Sequence, residues 1–343
     1  MLTPHSFVYP YRVPQMISRR SVLASLSASV ASFAMPSIAR AATRKLRLGH
    51  NNALTSVMHI HADAFAKAAA SLSDGQLAID IFPQSQLGNE QQMLKAVAEG
   101  SLDLTLAPVG VTSSYSSQTI LLELPYLFPS AAAARAALAG PLGGHCSDIL
   151  KPKGIVNLGW GEIGLRNITA NKPVRTVADI KGLKIRVPVS QPILKTFEAL
   201  GAAPEILPFP QLREALRTGR FAAQENPISV ILAGELNTVQ SHVSLTGHVY
   251  TSSLLALSGD VAEELSPADL DVLRKAAAIG AKASHDYADK TDRDGISALR
   301  ERGMTIVDDV DRASFQAAVA SVSESLAGTF GSDAMRQIRS LVG

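Results

Sequence analysis

From Leu46 to Ala107 the chain alternates between two hydrophobic periods, and that alternation limits the folds open to it. Leu46-Arg47-Leu48-Gly49-His50 reads as a strand. Residues 57–73 read as a helix, with Ala62, Phe65, Ala66 and Ala69 at helical spacing. Asp74-Gly75 is a turn, and Leu77, Ile79 and Ile81 alternate as in a strand. Asn89 is placed to cap the next helix, with Gln92 three positions on and Gly100 as its stop. Leu102 to Ala107 is a third short strand. Strand, helix, strand, helix, strand in so short a stretch predicts parallel βαβ units. In open sheets of that kind, ligands bind at the carboxyl ends of the strands where strand order reverses.

A second set follows. Ile155 to Leu158 and Leu183 to Val187 have strand patterns, and 191–200 and 211–219 have helical ones. Ser266-Pro267-Ala268-Asp269 is a helix start, with Ser266 as cap and Pro267 at the first helical position. The helical pattern runs from there to Arg302, with a break expected at Asp294-Gly295; a helix that long could run along two domains. The tail reads as a short strand at 304–307 and helices at 312–329 and 333–341. A chain of 343 residues exceeds one ordinary core, so two domains are expected. With 46% apolar and 18% charged residues and a mean hydropathy of +0.14, it is neither a disordered polyelectrolyte nor a small disulfide scaffold. The single cysteine, Cys146, excludes an internal disulfide and a cysteine-built zinc site.

The first forty residues read as an export signal. Ser18-Arg19-Arg20-Ser21-Val22-Leu23 opens an apolar stretch to Ala34, which closes on the small-residue site Ala39-Arg40-Ala41. The paired arginines resemble a twin-arginine signal, with Sec export as the alternative, and Met16 is an alternative start to Met1. Serines and Pro36 interrupt the apolar run, which is shorter than the roughly 20 residues of a membrane span. Arg12, Arg19, Arg20 and Arg40 lie in this segment without any acid, so the remaining chain is slightly acidic and has no electrostatic footprint for nucleic acid.

Enzyme signatures are missing: the sequence has no G-x-S-x-G elbow, Walker A loop, G-x-G-x-x-G after a strand, or H-E-x-x-H. His50, His59 and His61 invite a metal reading, but histidines two apart on a helix point to different faces. Asp308, Asp309 and Asp311 lack the Gly and distal Glu of a calcium loop and read as a solvated turn. No cofactor is expected.

Arginines within apolar strands stand out instead. In Leu183-Lys184-Ile185-Arg186-Val187-Pro188, the three apolar side chains face one way and Lys184 and Arg186 the other. Arg186 falls near the strand's end, just before Pro188, where its planar fork could hold a carboxylate by two parallel hydrogen bonds. A structural ion pair with a protein carboxylate is the competing reading. Arg166, in Gly164-Leu165-Arg166-Asn167-Ile168-Thr169, is a second candidate. Trp160, after a strand, is more in keeping with core packing.

Eight segments together resemble the solute-binding proteins of tripartite ATP-independent periplasmic (TRAP) transporters, the DctP-type family. They are Gln86-Leu87-Gly88, Glu99 to Asp103, Leu124-Pro125-Tyr126-Leu127-Phe128, Gly164-Leu165-Arg166, Gly182 to Pro188, Leu200-Gly201-Ala202, Ala215 to Gly219 and Gln224-Glu225-Asn226-Pro227. They occur in the family's order and span about 46–310.

The resemblance implies a periplasmic protein that captures a small organic anion and delivers it to the permease subunits in the membrane. The same cleft could serve a periplasmic sensor partnering a membrane receptor. The implied fold is a two-domain α/β periplasmic binding protein, type II-like, hinged around a cleft and spanned by a long helix. Its domains would be 43–163 with about 252–291, and 164–251 with about 292–343. Arg186 would make the main salt bridge to the ligand carboxylate and Arg166 would be a second arginine reaching it. Asn226 would be a hydrogen-bond donor and Phe209 an aromatic packed on the ligand. Asn51 and Glu90 align with cleft positions of sugar-acid binders, His248 with a polar residue near hinge and cleft, and the loop Ala107-Pro108-Val109-Gly110 with one lining the site. Sialic-acid binders carry a carboxylate where Pro108 stands, so the resemblance does not extend to that ligand. A monomer without metal or nucleic acid is implied.

Overall fold

Three parallel strands form the first half of the sheet: β1 (Arg44–Gly49) lies between β2 (Leu77–Phe82) and β3 (Leu104–Pro108). The intervening helices, Val57–Leu72 and Glu90–Ala98, complete the expected βαβ units. The second starts as its sequence dictates: Asn89 accepts from Gln92 N–H while the Gln92 side chain accepts from Asn89 N–H, both at 2.9 Å. The computed structural model describes residues 43–330, 336 and 338–340. The export signal read over 1–41 and most of the helix expected at 333–341 lie outside the described residues.

The remaining strands are β4 (Ile155–Ala170), β5 (Lys184–Val187), β6 (Ala203–Ile206), β7 (Ala223–Pro227), β8 (His242–Ser244), β9 (Tyr250–Ser258) and β10 (Thr305–Val307). Strand order is β2-β1-β3-β9-β4-β7-β5-β6, with β8 on β4 and β10 on β8. The sheet is mixed rather than parallel throughout, because β9 runs antiparallel to both β3 and β4, and β7 antiparallel to β4. β4 is also far longer than the expected Ile155–Leu158. It pairs with β9 as far as Leu165 and with β7 from Arg166 onward, so one strand serves both halves. Gly164 sits at that change of partner with φ +123°, a conformation open to glycine, and the register shifts between Glu162 and Gly164.

The helix Pro267–Glu301 runs unbroken for 35 residues, against the expected break at Asp294-Gly295. Ser266 caps it through Asp269 N–H at 3.1 Å. Gly295 is a packing glycine: a Cβ there would lie 2.8 Å from Ile228 Cγ2 and 2.9 Å from Leu232 Cδ1. The helix places Leu273, Ala276 and Ala277 in the core of the first half and Leu299 in that of the second. The expected helix at 312–329 is two, Arg312–Ala318 and Val322–Phe330. A third core joins Val109, Leu121, Leu122 and Leu124 to Ile168, Ile185, Ile193 and Phe197, so the segment after β3 packs onto the second half. Cys146 is buried, and burial pushes its thiol up to about 12, which leaves it inert. No described helix is long and apolar enough to cross a membrane.

His61, on the first helix, is fully buried, with neither ring nitrogen hydrogen-bonded. Burial, helped by the charge of His285, pulls it down to about 3. The folded chain keeps this ring neutral while the unfolded chain takes up a proton below about 6.5. Stability present above pH 6.5 is therefore lost as the pH falls toward 3, at up to about 1.4 kcal/mol per pH unit. Other groups titrate in the same window, so the measurement is a difference. Thermal melts of wild type and His61→Leu from pH 7 to 4 should show a shallower acid decline in the variant; parallel curves would contradict it.

Candidate ligand-binding site

The carboxyl ends of five strands meet at one cavity. Asn51 and Asn52 follow β1, and Pro108, Gly110 and Val111 end or follow β3. Arg186 and Pro188 to Ser190 end or follow β5, Phe209 follows β6, and Asn226 lies in β7. Glu90, Glu123, Ile163, Arg166 and Val230 complete the wall. The cavity thus sits where strand geometry predicts a ligand.

Arg186 explains itself by strand position. Lys184, two residues earlier on the same face, is exposed at the start of β5, whereas Arg186 is 1% exposed at the end that meets the cavity. Its Nε donates to Leu207 O at 2.8 Å, which fixes the guanidinium plane, and its Nη2 has no hydrogen-bond partner. Burial pulls this group down to about 10, partly opposed by Glu225, so it remains a cation at neutral pH. Among the described residues it makes no salt bridge with a carboxylate. A buried cation with an unused donor is costly unless a counter-charge arrives.

Arg166 is the opposite case. Its Nε and Nη2 hold both carboxylate oxygens of Glu225, the Nη2 contact at 2.8 Å, and Nη2 also donates to Asn226 Oδ1 at 3.0 Å. Nη1 reaches Thr251 Oγ1 at 3.3 Å. His248 closes this network from behind: Nε2 lies 3.0 Å from Glu225 Oε2 and Nδ1 2.8 Å from Thr246 Oγ1. Burial lowers His248, against the pull of Glu225, so the ring is neutral, donates from Nε2 and accepts at Nδ1. Burial acts to raise Glu225, but Arg166 and the bonds from His248 and Arg166 outweigh it and hold the carboxyl below its ordinary range. Asn226 is fixed in turn by a 2.6 Å bond from its Nδ2 to Gln224 Oε1.

Glu90 ties the two halves together. Its Oε2 accepts from Asn51 Nδ2 at 3.1 Å, and its Oε1 accepts from the backbone N–H of Phe209 at 3.2 Å. Of the residues expected at the site, Arg186, Arg166, Asn226, Phe209, Asn51, Glu90 and Pro108 line one cavity. Val109 and His248 do not: Val109 turns into the apolar core beside Leu121, and His248 lies behind Glu225. Trp160 also lies off this cavity, its indole N–H bonded to Gly143 O at 3.1 Å. Gly110, of the expected loop, lines the cavity too; Asn52 and Glu123 were not anticipated, although Glu123 is conspicuous as one acid in the apolar run Ile120 to Leu124. His50 and His59 touch each other at 3.1 Å, away from this wall, and among the described residues no group of three metal-ligating side chains is assembled.

A family model described as bacterial extracellular solute-binding protein, family 7, matches residues 48–328. The chain belongs to that family. It is 34% identical over 301 residues to a solute-binding protein of Verminephrobacter eiseniae, covering 88% of this chain and 90% of the relative. It is 32% identical over 293 residues to the 2,3-diketo-L-gulonate-binding periplasmic protein YiaO of Escherichia coli, covering 85% and 88%. A solved TRAP periplasmic solute-binding protein from Polaromonas sp. JS666, bound to D-erythronate, matches with a TM-score of 0.83 at 32% identity, covering 86% of this chain and 98% of that one. The architecture is therefore the two-domain fold of TRAP solute-binding proteins. Members of this family are periplasmic binding components that work with membrane permeases, not enzymes, and the family 7 assignment explains a site with an unengaged cation and no catalytic pair.

Proposed function

We propose that the cavity captures a small organic acid through Arg186 and presents it to the permease of a TRAP transporter. The observation that carries this reading is a buried guanidinium at the cavity wall that lacks a carboxylate partner and has a free Nη2 donor. A ligand carboxylate would supply the missing counter-charge in bidentate form. Because Leu207 O already orients the guanidinium, little side-chain freedom is lost on binding. One charge-assisted contact contributes about 1.5–3 kcal/mol. Micromolar affinity needs about 8 kcal/mol. The remainder falls to Asn226, Asn51, Arg166 and the apolar faces of Phe209, Ile163 and Val230.

In this reading the ligand joins two lobes, 43–163 with about 252–291 and 164–251 with about 292–343. The change of strand partners at Gly164 supports that division, and the Glu90–Phe209 contact supports closure across it. The protein would act as a monomer, without nucleic acid.

A thermal-shift screen of the mature chain against organic acids, neutral sugars and amino acids tests the proposal. At one hundred times its Kd, a ligand adds about 2.7 kcal/mol. That corresponds to a rise in Tm of roughly 4 °C for a chain of this size. Stabilisation is expected only from organic acids. Stabilisation by neutral sugars or amino acids alone would overturn the proposal.

A further inference from the structure

Resting on the carboxylate reading above, we infer that Glu123 sets the ligand class: it accepts a hydroxyl of a polyhydroxylated monocarboxylate and turns away acids with a second carboxylate. Glu123 is 1% exposed and lines the same cavity as Arg186. Its Oε1 accepts from Thr251 Oγ1 at 3.0 Å, whereas its Oε2 completes no well-formed hydrogen bond, although the Ser190 side chain lies beside the carboxyl; burial raises this acid above its ordinary range, against the pull of Arg166 and of the Ser190 and Thr251 hydroxyls. Gly110 forms the wall beside that oxygen: a Cβ there would come within 2.5 Å of Glu123 Oε2 and 2.7 Å of Val189 O. The absence of a side chain at Gly110 leaves the oxygen its place at the cavity wall.

The charge of the wall points the same way. Of its two cations, Arg166 is already held by Glu225 and Thr251, so Arg186 is the one lining cation without a carboxylate partner among the described residues. Two lining acids, Glu90 and Glu123, share that wall, and neither forms a salt bridge among the described residues. One ligand carboxylate is therefore matched. A second would have to lie against Glu123 or Glu90 as a like charge, or hold a proton between the two acids. A hydroxyl carries no such charge and satisfies Oε2 by donating to it.

Isothermal titration calorimetry at pH 7.5 with matched acids of four, five and six carbons, each aldonate against its α,ω-dicarboxylate, tests the inference on the wild-type chain. At the chain length bound best, the aldonate should bind at least 100-fold more tightly than the dicarboxylate. Glu123→Gln, checked for folding by its thermal melt, should weaken the aldonate and narrow that ratio tenfold or more. Equal or tighter binding of the dicarboxylate by wild type overturns the assignment of Glu123, as does an unchanged ratio in a folded Glu123→Gln variant. If acids of neither kind bind at any length, the carboxylate reading itself fails, and this inference with it.

Discussion

Arg186→Ala is expected to weaken binding of the ligand acid by about 30-fold or more while leaving the chain folded. Removing one partner of a buried, hydrogen-bonded charge pair costs about 2–5 kcal/mol. That range corresponds to roughly 30-fold to several thousand-fold in Kd, and the other arginine of the wall, Arg166, is already paired to Glu225. Without ligand, the variant gives up the bond to Leu207 O and the attraction of Glu225 and Glu90, but it also removes a buried cation that no carboxylate pairs, so its unliganded Tm should stay near that of wild type. Arg186→Lys retains the charge but not the planar fork, and should fall between the two. Calorimetric titration of the three chains reads the effect. Wild-type affinity in Arg186→Ala would show that the cation plays no part in capture.

Glu225→Ala is expected to act on stability first. Glu225 is fully buried and is the shared acceptor of Arg166 and His248. Deleting it leaves the Arg166 guanidinium without a counter-charge and His248 without its acceptor, a class of change that costs about 3–5 kcal/mol. The Tm should drop by about 5–8 °C. The paired replacement Arg166→Met with Glu225→Leu should recover most of that loss, because an apolar pair removes both charges together. If Glu225→Ala melts with wild type, the network is not the structural element its geometry indicates.

The contrast between the two arginines marks how far the sequence could be read. Both lie in strands and both line the cavity, yet one is unengaged and the other carries an internal carboxylate. Strand alternation located Arg186 correctly because β5 is short and regular, with Lys184 and Arg186 on one face. No local pattern announces that Arg166 is occupied, since its partner lies on a neighbouring strand and the pairing is visible only once β4 and β7 are in register. β7 escapes pattern reading for a related reason. Gln224, Glu225 and Asn226 look like surface residues, but all are buried, because each polar group finds a partner in the fold.

Glycines account for several other differences. Gly159, Gly161 and Gly164 interrupt the hydrophobic pattern of β4, which made a 16-residue strand look four residues long. Gly295 looked like a helix break, and it is the point where Ile228 and Leu232 approach the long helix. Cap chemistry, by contrast, is local, and Asn89 with Gln92 and Ser266 with Pro267 read correctly. The cavity was foreseeable in its position at the strand ends but not in its full lining. Glu123 arrives from a 3-10 turn rather than from a strand end, and only its isolation among apolar neighbours hinted at it.

A crystal structure of the mature chain with the organic acid that stabilises it most would examine the proposed capture directly. The ligand carboxylate should lie on the Arg186 guanidinium with both oxygens within hydrogen-bond distance of its nitrogens, and Arg166 should remain on Glu225. A carboxylate held elsewhere, with Arg186 turned onto Glu225 or Glu90, would contradict it.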